Sequence, residues 1–219
     1  YAHFGIYAMY ATAAYALSKG MLVMADVKRN DIGTTAEAYA AAYLSASGFD
    51  YITVNPYPGY DGIKPFTDAC EANGKGIFVL ARMSNPSAAE IQNLDVGGEP
   101  LYMHVGGLIE KWGGNLIGEN GYSAVGAVVG ATNPDEARKL RERFKHTFFL
   151  VPGYGAQGGK GKDAAAAFDE KGSGAIVNNS RGIIAAHMTE RYKGMPFDRA
   201  ATAAAIDMRE DLAAALKNR

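Results

Sequence analysis

The chain has 219 residues, 48% hydrophobic content and a formal net charge of -1 at pH 7. That is enough chain to bury one sizeable core, so a single domain over 1–219 is expected, and the charge is too balanced for a nucleic-acid or anionic-membrane partner. No apolar run approaches the ~20 residues of a membrane helix, and the lone Cys70 excludes an intrachain disulfide, which makes a reducing, cytoplasmic setting the expectation.

In chain order, Tyr1 already falls inside a helix entry, so the polypeptide is expected to begin further upstream. Met21 to Met24 read as the buried start of a strand over 21–28. Further strands are expected near 51–55, 76–82, 124–130, 147–152 and 174–178, each followed by a helical segment. Thr34-Thr35-Ala36-Glu37 has the spacing of a capping box, and Asn133-Pro134-Asp135-Glu136 reads as an N-cap followed by acids in the first turn. Ala-rich helices recur at Ala36 to Ala46, Ala164 to Phe168 and Ala200 to Leu216. Cys70 falls in a helix and reads as a buried apolar residue. Strands alternating with helices imply a parallel sheet covered on both faces, in which Gly76-Ile77-Phe78-Val79-Leu80 and Thr147-Phe148-Phe149-Leu150-Val151 are the continuous apolar runs such strands need. Periodicity leaves a barrel with six visible strands and an open doubly wound sheet equally open.

Two segments carry chemistry. Ala25-Asp26-Val27-Lys28-Arg29-Asn30-Asp31 closes a strand with two carboxylates and an ammonium. Period-two alternation puts Asp26 and Lys28 on one face, with Asp31 in the loop beyond, at the strand end where α/β folds place catalytic groups. The residue types alone serve equally an ion-pair network that holds a loop. The second is Val151-Pro152-Gly153-Tyr154-Gly155-Ala156-Gln157-Gly158-Gly159, a glycine-rich loop after a strand, followed one strand later by Ser180-Arg181-Gly182. Backbone amides that an anion can approach, paired with a forked guanidinium, suit a phosphate.

Other features take structural readings. His3, His104, His146 and His187 share no metal-ligand spacing. Asn55-Pro56-Tyr57-Pro58-Gly59-Tyr60 is a stiff turn. Trp112 and the Tyr-rich first helix read as core or dimer-interface packing, and Arg138 to Lys145 as a solvated helix face.

Asp26-x-Lys28-x-x-Asp31-Ile32 with Thr35, then Ala81-Arg82-Met83-Ser84-Asn85-Pro86, the Gly-rich segment and Asn179-Ser180-Arg181-Gly182-Ile183, in that order, resemble the orotidine 5'-phosphate decarboxylase family, in its bacterial type 2 branch. The resemblance implies a TIM (β/α)8 barrel of the ribulose-phosphate-binding type, with six of eight strands visible and the first two lacking. It implies a lyase that decarboxylates orotidine 5'-monophosphate in pyrimidine biosynthesis without a metal or cofactor. Lys28 would stabilise and protonate the C6 carbanion, with Asp26 holding its ammonium in place. Asp31 and Thr35 would act in trans in a homodimer, Thr35 on a ribose hydroxyl, while Ile32 lines the pyrimidine pocket. Ser84 would bond the base, Gln157 would bridge base and phosphate, and Pro152, Gly155, Arg181 and Gly182 would complete the substrate site.

The chain departs from that pattern at two residues. The family carries a further lysine after its second strand and an aspartate after its first, and neither is found in residues 1–18. Two alternatives stand: a magnesium-dependent sugar-phosphate decarboxylase or aldolase of the same superfamily, in which a similar Asp-x-Lys-x-x-Asp strand helps bind the metal, and, because of the missing lysine, a non-catalytic phosphate-binding fragment.

Overall fold

The computed structural model describes residues 2–45, 48–155 and 157–219. Tyr1, the Ala46 end of the first Ala-rich helix and Ala156 of the Gly-rich segment lie outside the described residues. The elements run α1 (Ala2–Ser18), β1 (Met24–Arg29), α2 (Gly33–Ala40, continued by a π-helical turn at Ala41–Ser45), β2 (Tyr51–Val54), α3 (Tyr60–Asn73) and β3 (Gly76–Arg82). There follow α4 (Ala89–Gln92), a two-stranded hairpin of β4 (Asp95–Val96) and β5 (Glu99–Pro100), α5 (Leu101–Trp112), β6 (Val125–Val129), α6 (Pro134–Arg143), β7 (Phe149–Val151), α7 (Gly161–Ala165), β8 (Ala175–Val177), α8 (Ser180–Ile184) and α9 (Phe197–Lys217).

All six anticipated strands form, and they order as β1-β2-β3-β6-β7-β8. A doubly wound sheet reverses its strand order at a switch point. This order advances without reversal, which is the winding of a (β/α) barrel and of the α/β class. The short β4–β5 hairpin was not anticipated.

The chain divides into two compact units, residues 1–80 with 107–127, and residues 81–106 with 128–219. In the first, Ile63, Phe66 and Cys70 of α3 recur at helical spacing and are buried, as are Ile52 and Val54 of β2, Ile77 and Val79 of β3, and Ile109 of α5. Burial pushes the Cys70 thiol up to about 12, so it is an inert core residue, as expected. Trp112 stacks on Tyr60 with ring centroids 6.1 Å apart, whereas Phe4, Tyr7 and Tyr15 of α1 are exposed rather than core.

Two expectations for this unit fail. Met21 and Leu22 are exposed and β1 begins only at Met24, because the Val23 amide bonds the Asp50 carboxylate at 2.8 Å instead of a ladder carbonyl. The capping box at Thr34 is not used: α2 starts at Gly33 after Ile32, with no side-chain cap, and the Ile32 carbonyl accepts from Ala36 instead. Ahead of α6 the cap position is as expected, with Asn133 as N-cap, Pro134 next and Asp135 and Glu136 in the first turn, though the Asn133 side chain does not cap it.

In the second unit Phe149, Leu150 and Val151 of β7 are buried together with Leu140 of α6, Phe144 and Ala164 of α7. The solvated face expected from Arg138 to Lys145 is interrupted by Arg141, which is buried. Its guanidinium donates to the carbonyls of Ala167, Phe144, Thr147 and Gly174 at 2.8–3.0 Å and lies 3.8 Å from the Phe149 ring centroid. Four carbonyls therefore share one cation, and those hydrogen bonds offset part of the cost of burying the charge.

Candidate active site

In the first unit the chemistry gathers where β1 leaves the sheet. The pairing of β1 with β2 runs Ala25↔Ile52 and then Arg29↔Val54, so the residues from 25 to 29 oppose only those from 52 to 54. Such a bulge breaks the ladder and re-aims side chains. Asp26 and Lys28 meet as the alternation predicts, but on a bulged rather than a regular strand: the ammonium of Lys28 lies 2.5 Å from Oδ1 of Asp26. Lys28 has φ 46, the one non-glycine in the left-handed region among the described residues. A residue with a Cβ is held there at a cost of about 1–3 kcal/mol, which the surroundings must offset.

The offset is visible in Thr53 of β2. Its hydroxyl accepts from the Lys28 amide at 2.9 Å and donates to Oδ1 of Asp26 at 2.9 Å. One buried side chain thus replaces the missing ladder bond and fixes the carboxylate that takes the ammonium. Thr53 is not among the expected site residues, and the one signal for it is a lone polar residue inside the apolar run Tyr51-Ile52-Thr53-Val54, since a buried hydroxyl needs a partner. Arg29, next along, is also anchored: it bonds the Tyr43 hydroxyl at 2.8 Å and lies against the rings of Tyr39 and Tyr43.

Asp31 keeps local company. Its carboxylate accepts from the Ile32 amide at 2.8 Å, and among the described residues it is not joined to Asp26 or Lys28. Ile32 is 64% exposed and Thr35 is exposed, both at the head of α2. The turn after β2 is stiffened as expected, by Tyr57 N–H to Asn55 Oδ1 at 3.0 Å and Gly59 N–H to the Pro56 carbonyl at 2.8 Å.

In the second unit the loops after β3, β6, β7 and β8 bring the other predicted residues together. The Thr132 hydroxyl donates to the Ser84 carbonyl at 3.0 Å. A Cβ on Gly130 would lie 2.8 Å from the Ser84 backbone, and one on Gly153 would lie 3.1 Å from both Ser84 Cβ and the Gln157 amide oxygen. Ser84, Thr132, Gly153 and Gln157 are therefore neighbours, and the close approach explains the glycine at position 130. Arg82, before Ser84, is buried and pairs with Glu136 at 2.5 Å, which fixes the root of the Ser84 loop.

The Gly-rich loop is a closed ring rather than a set of open amides. Gly155 N–H bonds the Gly159 carbonyl and Gly158 N–H the Gly155 carbonyl, both at 2.8 Å, and Gly159 N–H bonds the Gly153 carbonyl at 3.1 Å. The Pro152 carbonyl accepts from Ala131 at 2.8 Å. The Gly182 amide is likewise taken, by Asn179 Oδ1 at 3.1 Å, and a Cβ on Gly155 would come within 3.1 Å of that same Asn179 side chain. The loops after β7 and β8 thus touch through Asn179. The amides of Gly155 and Gly182 are spoken for, contrary to the expectation that they face an anion, because the loop uses them to hold its own shape. Gln157 and Arg181 are exposed, and their side chains have no hydrogen-bond or ion-pair partner among the described residues.

The histidines keep structural roles where contacts are visible: His104 Nε2 lies 2.7 Å from the Val96 carbonyl and His187 packs edge-on to Phe197. Among the described residues no helix is long and apolar enough to cross a membrane.

Residues 1–192 match a family model described as the orotidine 5'-phosphate decarboxylase / HUMPS family. A Caldicellulosiruptor bescii protein called orotidine 5'-phosphate decarboxylase is 42% identical over 226 residues, covering 99% of this chain and 73% of that protein. One of the same name from Rhodopirellula baltica is 41% identical over 219 residues, covering 95% and 72%. The solved structure of Leishmania donovani OMP decarboxylase superposes with a TM-score of 0.73 at 34% identity, over 90% of this chain and 69% of that one.

Proposed function

The chain belongs to the orotidine 5'-phosphate decarboxylase / HUMPS family, and from that premise we propose that it converts orotidine 5'-monophosphate to uridine 5'-monophosphate in pyrimidine biosynthesis, with Lys28 as the catalytic group. The C6–carboxylate bond breaks with its electron pair left on C6, carbon dioxide departs, and the pair takes a proton from the Lys28 ammonium, which solvent later restores. A fixed cation where negative charge develops, able also to deliver a proton, lowers both halves of that barrier. The observation that carries this reading is the Asp26–Lys28–Thr53 arrangement: a carboxylate holds the ammonium at the exit of β1, and a buried hydroxyl fixes that carboxylate and the Lys28 backbone amide, in a conformation that costs free energy to keep.

Arg181 takes the phosphate, Gln157 bridges phosphate and base, and Ser84 bonds the base. Their support is the unpartnered guanidinium and amide beside a self-braced loop, a preformed receptor that need not reorganise on binding. Pro152, Gly155 and Gly182 shape that receptor. In a homodimer Asp31 and Thr35 work in trans with Ile32 beside them, a role that suits the exposure of Ile32 and Thr35 at the head of α2. In this reading the reaction runs in the cytoplasm without metal or cofactor.

The test is direct. Turnover of orotidine 5'-monophosphate by the chain is followed by the loss of the substrate's ultraviolet absorbance, in the presence of excess chelator. Chelator-resistant turnover is expected, while turnover that appears only with added magnesium overturns the metal-free reading.

A further inference from the structure

The Gly-rich loop leaves the sheet at Val151 and rejoins regular structure at Gly161, and its internal bonds tie it mainly to itself. Its neck is held from elsewhere. Oδ2 of Asp211, on α9, accepts from the Tyr154 hydroxyl at 2.8 Å and from the Gly161 amide at 2.8 Å, one donor on each side of the ring. The fit is close: a Cβ on Gly161 would lie 2.6 Å from that same oxygen and 2.9 Å from the Asp211 carbonyl, so only glycine lets the carboxylate reach the amide. Burial, with the Asp211 carboxylate beside it, pushes the Tyr154 hydroxyl well above its ordinary value, so it stays a donor.

Around this clamp lies a cavity of about 450 Å³ lined by Tyr154, Asn179 and Gly182 of the two loops and by Asp207, Met208 and Asp211 of α9. Gly161 is packed against α9, while the Tyr154 side borders open space, so the two hydrogen bonds to Asp211 restrain the loop's neck from both ends. We propose that Asp211 is a positioning residue for phosphate recognition: by clamping Tyr154 and Gly161 it sets where the loop carrying Gln157 sits relative to Arg181. The inference rests on the reading of this loop and Arg181 as the phosphate site. Displacing a binding loop by an ångström misaligns every contact it makes, while groups that act on the ring are untouched.

The experiment compares kcat/KM for orotidine 5'-monophosphate with kcat/KM for orotidine, which has the same ring and no phosphate, in the native chain and in Asp211→Ala, Tyr154→Phe and Arg181→Ala. The ratio of the two constants is expected to fall about tenfold in Asp211→Ala, through KM for the phosphorylated substrate, and by a smaller factor in Tyr154→Phe, which removes one donor without changing the packing. A purely structural role for Asp211 would lower both constants together and leave the ratio fixed, which overturns the proposal. If Arg181→Ala lowers the ratio and the clamp variants do not, Asp211 alone is refuted; if Arg181→Ala also leaves it fixed, the phosphate reading falls first. Should Asp211→Ala fail to fold, Tyr154→Phe decides.

Discussion

Thr53 and Asp26 share a hydrogen bond of 2.9 Å, and it ends on the oxygen that also takes the Lys28 ammonium. The hydroxyl therefore orients the carboxylate from below while its lone pair serves the Lys28 amide. Thr53→Val keeps the β-branched shape and removes both functions. It should cost about 1–3 kcal/mol, since a backbone N–H loses its acceptor, and lower kcat about tenfold by loosening the ammonium. Thr53→Ser should recover most of both. Urea denaturation and steady-state kinetics check this; lost stability with an unaltered kcat would reduce Thr53 to a scaffold residue.

Lys28→Ala deletes the cation proposed to meet the carbanion and the proton it needs. Removing a group with both tasks should lower kcat by about 10³-fold or more. Binding of uridine 5'-monophosphate, proposed to draw on Arg181 and Gln157, should survive in the variant. Turnover at the native rate in Lys28→Ala would end the assignment.

What the sequence disclosed and what it hid follow the range of the interactions involved. The strands were legible because buried parallel strands are continuous apolar runs, and β3, β6 and β7 are buried nearly throughout. Met21 and Leu22 misled because apolar character does not itself imply burial. Asp26 and Lys28 were legible by alternation, although the bulge that aims them was not, since it depends on which residue of β2 faces the gap. Asp211 was hidden because its partners lie 50 and 57 residues away and no spacing rule links them. Arg141 left a trace that was overlooked: with Ala137 and Leu140 it falls on one helical stripe, the buried one.

Arg141 leads to a stability prediction. Arg141→Met keeps a long apolar stem but removes the donors serving the carbonyls of Ala167, Phe144, Thr147 and Gly174. Stranding buried acceptors should cost about 3 kcal/mol or more, and Arg141→Lys should recover only part, because an ammonium lacks the planar fork. Thermal and chemical denaturation measure this, and a Met variant as stable as the native chain would show that solvent satisfies those carbonyls.

Asp50 gives the pH dependence. It stands just ahead of β2, where its Oδ2 takes the Val23 amide at 2.8 Å, its Oδ1 the Lys75 ammonium at 3.0 Å and its carbonyl the Gly76 amide at 3.0 Å, so it joins the starts of β1, β2 and β3. Burial works to raise its pKa, but the Val23 amide and Lys75 outweigh burial and hold the carboxyl below its ordinary value of 3.8. A group depressed in the folded state stabilises fully above its unfolded pKa and loses that contribution as pH falls through the lower, folded value. Asp50→Asn should therefore cost about 1–2 kcal/mol near neutrality, and the gap to the native chain should narrow below about pH 4 as the native carboxyl takes up its proton. Urea denaturation of both proteins at pH 7, 5, 4 and 3 measures the gap directly; one that stays constant across that range would mean the Lys75 and Val23 contacts do not depend on the charge of Asp50.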